Sequence, residues 1–328
     1  MSLDIAGMLR AMDKDRCRPI VVASHARSGT HLCIDTLRIN FKPCWMKKSW
    51  FEPANGLYLG LDGSALADQP LDIHRISRIL RRASRPIVKT HVLSDLHHGG
   101  VERSPWRINP QFADWLNERS SFVYIYRDGR DVLRSLYHYM QVKAPEARVP
   151  FSQFIRQRVN GLSRVAAWAQ HVRSWRDRAG VFHVKMEELV NQPFETLHRL
   201  AADLDLPPVP DEPQIPRRCD ADFLSRAWRR LVPTPSSTAI VPRHEVAECS
   251  TSRQAFAQEA DRRFFHAEAG DLLIELGYEL SADWIDEGFS TSGIASRHSQ
   301  KRSTNRHAVA AMASLDEALE DFRTPVIN

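Results

Sequence analysis

The chain has 328 residues, 43% of them hydrophobic and 26% charged, with 45 Lys and Arg against 40 Asp and Glu. This composition excludes a disordered or fibrous protein and leaves room for one large α/β domain with its own core. The formal net charge of +5 admits nucleic acid, an anionic surface or an anionic small ligand as partner, and the placement of the arginines decides among them.

From the amino end, residues 1–18 carry Asp4, Asp13 and Asp15 and lack an uninterrupted apolar core. They read as an N-terminal extension and not as a secretory signal. No apolar run approaches the roughly 20 residues of a membrane span, so no transmembrane segment is expected and the expected location is cytoplasmic. The five cysteines, Cys17, Cys33, Cys44, Cys219 and Cys249, are scattered without a C-x-x-C pair. That spacing predicts reduced thiols, with no zinc site and no redox motif.

Residues 19–23 form a β-rich run, residues 24–29 a polar turn, and residues 30–41 space Leu32, Ile34, Leu37 and Phe41 as a helix does. A second strand is predicted at 86–88, ending on Lys89, Thr90 and His91. A third is predicted at 122–126, ending on Arg127 to Arg130 before a helix over about 131–140. Amphipathic helical stretches fill 151–176, a strand follows at 181–185, and another helix at 193–204. Residues 207–242, rich in Pro and Arg, read as an excursion over the strand ends. A last helix over about 253–276 stops at Gly277, a good residue to end one. Beyond Phe289 the Ser-, Thr-, Arg- and His-rich run reads as disordered. The alternation of strands and helices predicts an α/β fold of three layers, a mostly parallel central sheet flanked by helices. Ligands of such sheets bind beyond the carboxyl ends of the strands, where the polar residues just named gather.

The turn Ser24-His25-Ala26-Arg27-Ser28-Gly29-Thr30-His31 holds the parts of a phosphate cradle: a glycine, a helix N-terminus, hydroxyls and a cation. It lacks the first glycine and the lysine of G-x-x-x-x-G-K-[ST], which disfavours a nucleoside triphosphate held through magnesium. Arg27-Ser28-Gly29-Thr30 resembles the 5′-phosphosulfate loop of sulfotransferases that use 3′-phosphoadenosine-5′-phosphosulfate (PAPS). Tyr124-Ile125-Tyr126-Arg127-Asp128-Gly129-Arg130-Asp131-Val132-Leu133-Arg134-Ser135 is similar to the same family's second signature, a strand ending in arginine with a serine eight residues later. Ile87-Val88-Lys89-Thr90-His91 resembles the strand end that carries the family's general base.

The resemblance implies a P-loop-like sulfotransferase fold over residues 19–285, with residues 286–328 a disordered C-terminal tail. It implies PAPS as co-substrate, 3′,5′-adenosine bisphosphate as product, a hydroxyl-bearing small-molecule, carbohydrate or lipid acceptor, and no metal. By the same resemblance His91 is the base, and Arg27, Lys89 and Ser135 are the further catalytic groups; His25 and His31 compete with His91 because they flank the donor loop. Ser28, Gly29, Thr30 and His31 with Arg27 hold the 5′-phosphate, and Arg127 with Ser135 holds the 3′-phosphate. Weaker likenesses extend over Trp168 to Trp175 and Val184 to Leu189, where Met186 stands at the family's tyrosine and limits any adenine contact to an apolar one. The family's third donor element is poorly matched, its nearest candidate being Arg243.

Two alternatives stay beside this reading. A P-loop kinase-like phosphotransferase would need a lysine after the loop glycine and acidic metal ligands, for which Asp128 and Asp131 are the candidates. A non-catalytic nucleotide-binding adaptor would keep the fold without the chemistry. Nucleic-acid binding is not expected, because the Arg-rich tail offers neither interleaved aromatics nor a helical basic face. The acceptor pocket is expected among 42–72, 93–112, 140–152 and 207–250, with Trp45, Trp50, Phe51, Tyr58 and Trp106 as candidate lining residues; fold alone does not specify it.

Overall fold

The computed structural model describes residues 4–45, 57–61, 73–96, 109–143, 148–216 and 256–286. Residues Met1–Leu280 form one compact unit and Ser281–Asn328 a second, in which a 3-10 turn spans Ala282–Ile285. No helix among the described residues is long and apolar enough to cross a membrane.

The first unit is built on five parallel strands, β1 (Ile20–Ala23), β2 (Leu59–Gly60), β3 (Ile87–Thr90), β4 (Ser121–Tyr126) and β7 (Val181–Lys185), in the order β2-β3-β1-β4-β7. Between β4 and β7 the chain makes a two-stranded antiparallel hairpin, β5 (Arg158–Val159) with β6 (Leu162–Ser163). Among the described residues the helices are α1 (Ile5–Lys14), α2 (Thr30–Asn40), α3 (Ile73–Leu80), α4 (Pro110–Arg119), α5 (Gly129–Lys143), α6 (Phe151–Arg156), α7 (Arg164–Arg176), α8 (Met186–Asn191), α9 (Pro193–Asp203) and α10 (Glu259–Glu275).

All four residues of β1 are fully buried, as a parallel strand covered on both faces requires. Ile20, Val22, Ile87, Val123, Ile125 and Val184 pack on one face against Cys33, Ile34 and Leu37 of α2 and Leu197 and Leu200 of α9. On the other face Phe122 and Tyr124 meet Trp175 of α7, the Tyr124 and Trp175 rings stacked at 5.7 Å and 11°. These are the three layers that the alternation predicts. At the amino ends of the strands Arg85 donates to the Arg18 carbonyl and the Ser121 hydroxyl, tying the entries of β1 and β4 to that of β3.

Several elements depart from the sequence expectation. Residues 5–14 form α1, capped by Asp4, with Met8 and Met12 fully buried and Asp13 accepting from Trp115 Nε1 at 3.0 Å. The 151–176 stretch is broken after Arg156, where Asn160 and Gly161 both take positive φ (55° and 83°) and turn the β5–β6 hairpin. An Asn-Gly pair is the sequence that such a two-residue turn selects. The last helix begins at Glu259 and closes with Gly277 N–H on Ile274 O and Tyr278 N–H on Leu273 O, the paired bonds of a Schellman ending. The Pro- and Arg-rich excursion beyond residue 216 and the C-terminal tail lie outside the described residues.

Candidate active site

In the sheet register Ala23 lies level with Thr90 and with Tyr124, so β1, β3 and β4 deliver the next residues of the chain to one edge. That edge receives the Ser24 to Gly29 loop from β1, His91 from β3, Arg127 and Asp128 from β4, and Met186 from β7.

The loop is wound tightly. Ser28 N–H donates to His25 O at 3.2 Å, and the Ser24 and Thr30 hydroxyls lie 2.5 Å apart across it. Gly29 leads into α2 with φ 100° and gives that helix no side-chain cap. A Cβ here would come to 3.0 Å from Met186 Cγ, so both backbone and space call for glycine. The helix N-terminus is thereby left with amides and dipole directed at the strand edge, a setting that favours an anion. Met186 lies against this loop glycine.

Arg27 takes φ 75°, a left-handed conformation that costs a non-glycine residue about 1–2 kcal/mol. That backbone sends its side chain across to α5. There Arg27 Nε donates to Ser135 Oγ at 3.1 Å, and the guanidinium lies 5.2 Å from the centre of the Tyr139 ring. Two residues 108 positions apart in the chain are joined in this way, and Tyr139 is a neighbour that the sequence reading does not include.

His91 is held by its Nδ1, 2.7 Å from the carbonyl oxygen of Ser24 and 3.3 Å from the Ser24 hydroxyl. A carbonyl only accepts, so Nδ1 carries the hydrogen and the lone pair of the neutral ring is on Nε2. The other two histidines of the loop have a different character. Burial pushes His25 down to about 4. Burial, with Lys89, His91 and Arg27 around it, pushes His31 down to about 4. Both are neutral near pH 7 and too weakly basic to compete for a proton. Lys89 is the third residue of β3, paired in register with Val22.

On the β4 side, Arg127 Nη2 bonds Asp131 Oδ2 at 2.9 Å, while its buried Nε has no partner among the described residues. Buried donors are rarely left so, and an anionic ligand is one explanation. Arg130 turns away from the edge: it holds both oxygens of Asp128 and reaches Glu279 in a buried network. The carboxylates of Asp128 and Asp131, the acidic candidates for a metal, are thus each engaged by an arginine. Beyond them Glu187 accepts from the Tyr278 hydroxyl at 3.1 Å and is raised by burial.

The structure therefore gathers Arg27, Ser28, Gly29, Thr30, His31, Lys89, His91, Ser135 and Met186 around one loop, with Arg127 at the end of the adjoining strand. Arg243, Trp50, Phe51 and Trp106 lie outside the described residues. The sequence reading places Ser24 in the cradle turn but gives it no role toward His91, whose ring its carbonyl and hydroxyl both face.

A family model described as a sulfotransferase domain matches residues 18–220. No curated protein matches the sequence. Among solved structures, mouse sulfotransferase SULT7A1 complexed with PAP aligns at 15% identity over 81% of this chain and 89% of that one, with a TM-score of 0.45. Retinol dehydratase in complex with androsterone and inactive cofactor PAP aligns at 19% identity over 78% and 80%, with a TM-score of 0.44. Retinol dehydratase in a complex with retinol and PAP aligns at 18% identity over 80% and 86%, with a TM-score of 0.41.

Proposed function

The chain belongs to the sulfotransferase domain family, and on that premise we propose that it moves a sulfuryl group from PAPS to a hydroxyl of a small-molecule, carbohydrate or lipid acceptor. The observation that carries the proposal is the state of His91, whose Nδ1–H is committed to Ser24 O at 2.7 Å beside the donor loop. Its Nε2 lone pair is then the base.

A hydroxyl is a poor nucleophile until its proton leaves, and His91 Nε2 takes that proton as the new S–O bond forms. The donor supplies a sulfuryl group on a good leaving group, and 3′,5′-adenosine bisphosphate departs as the bond to its bridging oxygen breaks. Negative charge grows on that oxygen. Arg27 answers it as a permanent cation, its guanidinium set by Ser135 and Tyr139, and Lys89 adds a second positive charge. Because arginine does not release a proton, the leaving group is stabilised electrostatically.

The residues fit the donor. Ser28, Gly29, Thr30 and His31 offer amides and hydroxyls at the uncapped start of α2 to the 5′-phosphate. Arg127, with its partnerless buried Nε, and Ser135 serve the 3′-phosphate. Met186, packed on Gly29, offers the adenine an apolar contact. The described cysteines, Cys17, Cys33 and Cys44, are all free thiols, which is consistent with a cytoplasmic setting.

Calorimetric titration of the full chain with 3′,5′-adenosine bisphosphate and with ATP tests the donor, and preference for ATP would overturn the reading. His91→Ala is expected to keep bisphosphate affinity while lowering turnover about 10²- to 10⁴-fold.

A further inference from the structure

The donor loop and His91 are joined by a chain of hydrogen bonds whose directions are forced. The carbonyl of Ser24 accepts from His91 Nδ1–H at 2.7 Å. The backbone carbonyl of His91 lies 3.0 Å from His171 Nε2. His171 Nδ1 in turn lies 3.0 Å from the hydroxyl of Tyr124.

A carbonyl only accepts, so His171 carries its hydrogen on Nε2 and its lone pair on Nδ1, where the Tyr124 hydroxyl donates to it. The neutral ring that this requires is maintained by burial, which holds His171 well below the usual histidine range. The frame around it is stiff. The Tyr124 ring lies between His171 at 5.8 Å and 29° and Trp175 at 5.7 Å and 11°. Trp175 Nε1–H in turn donates to Val92 O at 3.0 Å, one residue beyond His91.

The chain of bonds governs two separate freedoms of His91. Ser24 O fixes the rotation of its ring and the tautomer, and His171 Nε2–H fixes the backbone from which the ring extends.

We propose that Tyr124 and His171 are positioning residues for His91, setting the reach of its Nε2 relative to the donor loop without touching the reacting groups themselves. The consequence for turnover rests on the sulfuryl-transfer reading; the geometry does not.

Two measurements separate these. In protein labelled with ¹⁵N-histidine, NMR is expected to show His91 protonated on Nδ1 and His171 on Nε2. In Tyr124→Phe or His171→Phe the Nδ1–H of His91 is expected to exchange at least about tenfold faster, whereas His171→Gln, whose amide can donate to His91 O and accept from Tyr124, preserves it. Tyr124→Phe deletes one oxygen and keeps the ring, so it serves if His171→Phe fails to fold. Wild-type His91 protonated on Nε2, or exchange unchanged in both phenylalanine variants, would overturn the proposal.

In kinetics, release of 3′,5′-adenosine bisphosphate from PAPS is expected to slow about 10- to 100-fold in Tyr124→Phe, by analogy with the loss of residues that orient a ligating histidine. Affinity for the bisphosphate stays within about twofold. In a His91→Ala background Tyr124→Phe is expected to cause no further loss, because residues acting through one group are not additive. An additive loss would refute positioning. If the wild-type protein neither binds nor releases the bisphosphate, the sulfuryl-transfer reading fails, and the spectrum alone decides the geometry.

Discussion

Arg127→Ala offers a perturbation whose cost falls on one ligand and not on the fold. Among the described residues the side chain makes a single ion pair, to Asp131 at 2.9 Å, with 16% and 24% of the two side chains exposed. Removing a pair of this kind costs up to about 1 kcal/mol of stability. The partnerless Nε, which carries a penalty of about 1–3 kcal/mol, is removed by the same substitution. The two effects oppose each other, so the melting temperature is expected to move by less than about 4 °C. Binding behaves differently. A hydrogen bond to a charged group contributes about 1.5–3 kcal/mol, which weakens 3′,5′-adenosine bisphosphate about 10- to 150-fold. AMP has no 3′-phosphate, and its affinity is expected to stay within about twofold. Parallel calorimetric titrations of wild type and variant with both nucleotides, alongside thermal unfolding, give the comparison. Equal losses for the two, or none for the bisphosphate, would refute the assignment of Arg127 to the 3′-phosphate.

Gly29→Ala forces a left-handed φ on an L side chain and brings its Cβ to 3.0 Å from Met186 Cγ. A destabilisation of about 1–2 kcal/mol is expected, read as a melting temperature lower by about 2–8 °C, together with weaker bisphosphate binding. Arg130→Ala leaves Asp128 and Glu279 as buried charges without their cation, and chemical denaturation is expected to show a loss of about 3–5 kcal/mol. His31 folds with its pKa depressed to about 4 from 6.5, so between those values the unfolded chain binds more protons and stability falls as the pH drops through the window. Melting temperatures measured at pH 7.5 and 5 are expected to differ less in His31→Asn than in wild type.

The sheet was legible because strands covered on both faces are written as unbroken apolar runs. The 181–185 strand has the bounds its sequence suggests, and β1 starts one residue inside its run. The two-residue β2 presents no such run, and its pairing with Val88 and Lys89 belongs to tertiary structure alone. Helix α1 was hidden by its charges. Its buried positions, Met8, Leu9 and Met12, do follow helical spacing behind an Asp4 cap, but the sequence reading weighs the aspartates only against a secretory signal. The hairpin had a signal in Asn160-Gly161 that the surrounding helical periodicity masked.

Within the site, loop glycine, cations and base could be read from short motifs that resemble a known family. What could not be read is which partner each finds. Ser24 and His91 are 67 residues apart, Tyr124 and His171 are 47 apart, and their hydrogen bonds exist only because the register levels β1, β3 and β4. A histidine within Trp168 to Trp175 reads as core packing, and in part it is. Its polar role follows from the two atoms that it finds there.

That register also makes the floor of the site a staircase. Strand β1 ends at Ala23, level with Tyr124, while β4 and β7 run on together to Tyr126 and Lys185. At about 3.3 Å per residue the second landing stands some 7 Å above the first. Arg27 and His91 belong to the lower landing and Arg127 to the upper. A mononucleotide with a single anion can stand on only one of them, whereas a molecule bearing two anions the right distance apart occupies both. On the proposed function the sheet acts as a ruler, its lower landing meeting the 5′-phosphate and its upper one the 3′-phosphate, a spacing that a monophosphate does not fill.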